Sequence, residues 1–219
     1  MISTRNLDAL PDIPALRRLT RSLAMLDAIL SPEWESRYYS FDSHWGEGAL
    51  MASMRNGQGD DWFSLFTRGG VVVIGLDHEA PMFRFNEPWP GLFDSLPSEL
   101  AAAVNEPAFD ARNSTFCIWR RSAGERWERG PVQFPDGDDP DGSAQLLQIL
   151  DGRPESYRAF AADYYEVDLP LEAVAAVYRH QPLTPELLAR LNADATIDAL
   201  REDVVEIGYP EPDIFQHDR

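Results

Sequence analysis

Over residues 14–30 the apolar side chains Leu16, Leu19, Leu23, Leu26, Ile29 and Leu30 recur at helical spacing, with Arg17, Arg18 and Arg21 between them. That pattern predicts an amphipathic helix docked by one face. Ser31-Pro32-Glu33 reads as a cap followed by a first-turn proline, the start of a short second helix. From residue 37 to residue 77 the period shortens to two. The runs RYYSFD, ALMASM, DWFSLFT and VVVIGLD are separated by HWGEG, RNGQGD and RGG, which predicts a meander of four antiparallel strands joined by hairpin turns. In DWFSLFT, Trp62 and Phe66 share one face while Phe63 and Leu65 share the other, because strand side chains alternate. VVVI is apolar on both faces too, so these strands are expected in the middle of a sheet covered on both sides.

Beyond the meander, PSELAAAVN predicts a helix, and TFCIWRR with ERWERG predicts two more strands turned at SAG. After FPDGDDPDGS the chain reads mainly as helices, over residues 144–150, 155–165, 171–180, 185–191 and 197–202, with Thr184-Pro185-Glu186 and Thr196 as start signals. The order of helix, meander, helix, hairpin and helices predicts one α+β domain: an antiparallel sheet with an N-terminal helix and a C-terminal helical layer packed on it.

Charge changes this picture unevenly. The net charge is −18, but residues 1–132 hold 18 acids and 13 arginines, a net of −5, whereas residues 133–219 hold 19 acids and 6 arginines, a net of −13. The acidic part is therefore the helical layer. So negative a chain disfavours nucleic acid and anionic membranes, whose phosphates need clustered cations, and points to a basic protein partner. Every basic residue is arginine, and without lysine the chain has neither a P-loop lysine nor a Schiff-base nucleophile. Residues 1–15 lack the basic start and continuous apolar run of a signal peptide, so cytoplasmic residence is the expectation.

Few segments look like chemistry. FPDGDDPDGS gathers four aspartates, but placing Gly142 at the sixth position of a calcium loop puts Gly137 at the first and Gln148 at the twelfth. It reads instead as a turn that caps the next helix through Asp141 or Ser143. Asp42 and His44 follow one strand, His78 and Glu79 another, and the four would make a mixed nitrogen and oxygen site if those strand ends met. Cys117, the one cysteine, sits in a strand with no adjacent histidine and reads as an inert buried thiol. The glycine runs GQGDDW and GEGALM do not complete a dinucleotide loop, and no cofactor signature occurs. Of the six tryptophans, Trp62 and Trp119 fit a core, and Trp45 and Trp127 are candidate interface residues. Arg179 and His180 read as a helix C-terminal cap, and His217 falls in the terminal tail.

The runs LAMLDAILSPEWESRYYSFDSHW, MASMRNGQGDDWF, GLDHEAP and EDVVEIGYP resemble a family of bacterial proteins of unknown function, with the likeness continuing through most of the chain. The resemblance implies a bacterial source and carries over no site residues. The leading functional expectation is an interaction module whose acidic face recognises a basic partner, as an immunity protein recognises a cationic toxin. The alternatives are an enzyme or a ligand- or metal-binding protein built on Asp42, His44, His78 and Glu79, and a self-associating subunit.

Overall fold

The computed structural model describes residues 1–211. Helix α1 spans Ile13–Leu30; it is capped by Asp12, whose carboxylate accepts the Ala15 N–H, and Pro14 occupies its first turn. Its first half has one buried face, as the spacing predicts. From Ser22 to Ile29 every residue is buried, including Asp27, so this half is enclosed all round. The Ser31-Pro32 signal produces only a 3₁₀ turn, Trp34–Ser36.

Four strands then form the meander: β1 Tyr39–Gly46, β2 Ala49–Arg55, β3 Asp61–Thr67 and β4 Gly70–Leu76. A helical turn, α2 Ala102–Asn105, precedes β5 Phe116–Arg121 and the two-residue β6 Glu128–Arg129. The six strands lie in sequence order, and every neighbouring pair is antiparallel. Then come α3 Ser143–Leu146, α4 Pro154–Tyr164, α5 Leu171–Tyr178, α6 Pro185–Leu191 and α7 Arg201–Ile207. The expected helix over 144–150 is broken into α3 and a 3₁₀ turn, Gln148–Asp151. The last helix starts later than expected: Thr196 accepts the Ala199 N–H and caps a turn, and α7 begins only at Arg201. His217 lies outside the described residues.

The sheet separates two apolar cores, as the alternation in β3 and β4 requires. Trp62, Phe66, Val71 and Val73 face α1 and the C-terminal helices, together with Leu150, Tyr157 and Val177. Leu65, Val72, Ile74, Cys117 and Trp119 face the other way, onto Leu92, Leu100, Ala103 and Phe109. The acidic helical layer therefore covers one face only. The second is closed by the segment of short helical turns between β4 and β5, whose weak periodicity hides its covering role. Trp62 and Trp119 are core residues, and burial pushes the Cys117 thiol up, leaving it uncharged.

Register fixes which loops meet. Tyr39 pairs with Met54, Arg55 with Asp61, Asp61 with Leu76, and Gly75 with Phe116. The start of β1, the β2–β3 loop and the end of β4 thus share one end of the sheet. Among the described residues, no helix is long and apolar enough to cross a membrane.

Candidate functional site

The four residues expected to form a site are not brought together. The row containing Asp42 runs through Met51 and Leu65 to Val72. His78 is therefore three strands across (about 14 Å) and six residues further along (about 20 Å). Asp42 accepts the His44 N–H, and His44 leans on the Ser43 hydroxyl, which donates to the Glu206 carbonyl of α7. Ser43 thereby ties the edge strand to a helix. Glu79 donates its backbone N–H to Asp77.

His78 instead meets a residue that sequence reasoning passed over. Asp60, in the β2–β3 turn, accepts both the His78 N–H at 3.0 Å and the ring Nδ1–H at 2.6 Å through Oδ1, and the Asn56 amide at 2.6 Å through Oδ2. Burial raises the Asp60 pKa, but these bonds outweigh it and hold the carboxyl below its ordinary value; the same bond raises His78. Asp77 completes the group: one ligand atom each from Asp60, Asp77 and His78 lies within 4.8 Å of the others. Next to it, burial and then the charges of Asp110 and Asp60 push Asp61 up to about 7 against Arg55. The sequence signal was the DD pair at the start of β3, opposite the end of β4.

The same end of the sheet opens into a groove of about 850 Å³, bounded by α4, the start of β1 and the turn after α3. Its wall is aromatic. Tyr38 meets Phe160 edge-on at 4.8 Å and Tyr164 at 4.9 Å, while Phe160 and Tyr164 stack at 5.4 Å. Tyr164, which also meets Tyr165 edge-on at 4.8 Å, is 43% exposed at the rim of the groove. Asp151 and Asp163 supply carboxylates and Arg153 one cation, which turns to Glu155. Asp151 is committed to the Arg153 N–H and the Ser156 hydroxyl. Among the described residues no hydrogen bond or ion pair engages the Asp163 side chain.

Beneath the groove lies Asp27. Its Oδ2 accepts the Tyr38 and Tyr39 N–H groups at 2.8 and 2.7 Å, and its Oδ1 accepts the Tyr157 hydroxyl at 2.6 Å. One carboxylate on α1 thus fixes the start of β1 and the middle of α4, which are the two walls of the groove. Burial raises its pKa to about 6, despite the hydrogen bonds that favour the charged form.

The interface expectations divide. Trp45 is half-buried and stacks on Phe109 at 5.9 Å over the second core. Trp127 is not exposed: it is buried, and its indole N–H donates to the Pro11 carbonyl at 2.8 Å. Trp127 lies just before β6, and its ring packs inward while the preceding Glu125 and Arg126 stay exposed. Trp34 is the more accessible indole, 45% exposed beneath the Arg55 guanidinium. FPDGDDPDGS is a turn, as expected, though Asp139 shares the capping: it accepts the Ala144 and Gln145 N–H groups, while Asp141 accepts from Ser143 and Thr4. His180, at the end of α5, meets the Arg18 carbonyl through its ring.

Comparison of the chain with protein-family models, with curated proteins and with solved structures finds no match. The functional reading therefore rests on the geometry of this end of the sheet.

Proposed function

We propose that this protein is a binding module for a basic polypeptide, which it takes in the aromatic groove beside α4. The observation that carries this reading is the pairing of a partly exposed tyrosine, Tyr164, with the unengaged carboxylate of Asp163 beside it on the same helix, both lining the groove. A guanidinium or ammonium placed there gains a cation–π contact, worth about 0.5–2 kcal/mol, and a carboxylate partner. The net −13 of residues 133–219 adds long-range steering, which raises the rate of encounter and weakens as salt rises. A toxin neutralised by an immunity protein, or a nucleic-acid-binding protein held by a regulator, is the kind of partner such a surface suits.

The test uses a fluorescent arginine-rich peptide, with a glutamate-rich peptide as control, followed by anisotropy at 0.05 M and 0.3 M salt. The arginine peptide is expected to bind, to weaken at higher salt, and to lose about tenfold in affinity in Tyr164→Ala and again in Asp163→Asn. Equal binding by wild type and both variants would show that the groove is not the site.

A further inference from the structure

We infer that Asp60, Asp77 and His78 form a binding site for a divalent cation of the zinc class, separate from the groove that takes the polypeptide. The donor set is one imidazole and two carboxylates, presented from two adjacent loops with ligand atoms within 4.8 Å of one another. In a tetrahedral zinc site, bonds of about 2.0–2.2 Å place neighbouring ligand atoms about 3.3 Å apart. His78 Nδ1 and Asp60 Oδ1 are 2.6 Å apart, bridged by a proton. Replacing that proton with a metal ion requires them to part by about 0.7 Å. The His78 ring is free to move that far, since its side chain is 41% exposed and sits on a turn. Water would fill the fourth position.

The surroundings prepare the two carboxylates and the ring. Asp60 Oδ2 accepts from the Asn56 side-chain NH₂, and Asn56 Oδ1 accepts the Gln58 and Asp60 N–H groups, which orients the carboxylate as an outer-shell partner orients a metal ligand. The Asp77 N–H donates to the Thr115 hydroxyl. Two glycines leave room for the ligands. A β-carbon at Gly59 would stand 3.3 Å from His78 Nδ1, and one at Gly142 would overlap the Asp77 side chain; both glycines also have positive φ, at 116° and 74°. Imidazole with carboxylate suits zinc or manganese, whereas calcium wants six or more oxygens.

The probe is zinc ion, titrated calorimetrically into the full chain at neutral pH and 0.15 M salt, with calcium as comparator. One zinc ion per chain is expected to bind at least tenfold more tightly than calcium. His78→Ala and Asp60→Asn are each expected to weaken zinc binding at least tenfold while circular dichroism shows the fold retained; the exposure of His78 makes its replacement mild. Tyr164→Ala, which weakens peptide binding, is expected to leave zinc binding unchanged. Zinc binding that is the same in wild type and His78→Ala would place the metal on scattered surface carboxylates and overturn the assignment, as would zinc binding no tighter than calcium. Either failure leaves the peptide reading standing.

Discussion

Replacing Asp27 with alanine is expected to destabilise the protein by about 3 kcal/mol and to lower its melting temperature by roughly 10 °C. The substitution strips acceptors from two buried donors, the Tyr157 hydroxyl and the Tyr39 N–H, and from the part-buried Tyr38 N–H. Each orphaned donor costs about 1–3 kcal/mol, part of which is offset because a buried carboxylate is removed as well. Asp27→Asn keeps one acceptor oxygen but turns an NH₂ group towards a donor, so it should fall between alanine and wild type. Thermal unfolding followed by circular dichroism measures both. Because Asp27 joins α1 to both groove walls, the alanine variant should also lose peptide binding well below its melting point. An alanine variant that melts within 2 °C of wild type would show that Asp27 organises nothing.

The second large effect is with pH, and its sign is opposite to ordinary acid denaturation. Asp27 is raised to about 6 and Asp61 to about 7 in the folded protein, from a starting value of 3.8. Between those values the folded state holds protons that the unfolded chain has released, so stability falls as pH rises. The loss runs from about pH 4 to pH 6 for Asp27 and to pH 7 for Asp61. Asp77, Asp141 and Glu206 are raised as well and act in the same direction, whereas Asp60 is lowered and weakens the fold only in stronger acid. His78 is raised and adds to the trend; His180 is lowered by burial and opposes it. From pH 5 to pH 8 the unfolding free energy should drop by about 4 kcal/mol from Asp27 and Asp61 together, less what solvent screens at Asp61. Urea titrations should therefore show a midpoint roughly 1.5 M lower at pH 8 than at pH 5. Asp61→Asn should stabilise the protein at pH 8 by roughly 1–3 kcal/mol and change little at pH 5. A midpoint that rises with pH over this range would refute the account.

The strands were legible because alternation is a local signal. In DWFSLFT and VVVI the parity of each residue assigns it to one of two faces, and the structure keeps that assignment from Trp62 to Ile74. The covering of the second face was not legible. The segment carrying Leu92, Leu100 and Phe109 is built of turns too short to show a period, and its apolar residues gain meaning only against the sheet. Trp127 was misread for a related reason: its neighbours in sequence are charged, and burial is decided by what lies across from the ring.

Composition and periodicity by themselves determined the α+β class, the meander and its two-faced strands, the helical nature of residues 143–207 and the concentration of negative charge there. Each of these depends on residues within about ten positions of one another, or on a plain sum of charges. The candidate site depends on neither. Asp60 and His78 are 18 residues apart and Asp27 and Tyr157 are 130 apart, and only strand register and helix docking bring them within hydrogen-bonding distance. The tertiary structure likewise separated Asp42 and His44 from His78, because register sets them at opposite ends of the sheet. It also turned one aspartate in an apolar helix, Asp27, into the post on which both walls of the groove hang: a lone carboxylate survives burial only where the fold supplies its donors.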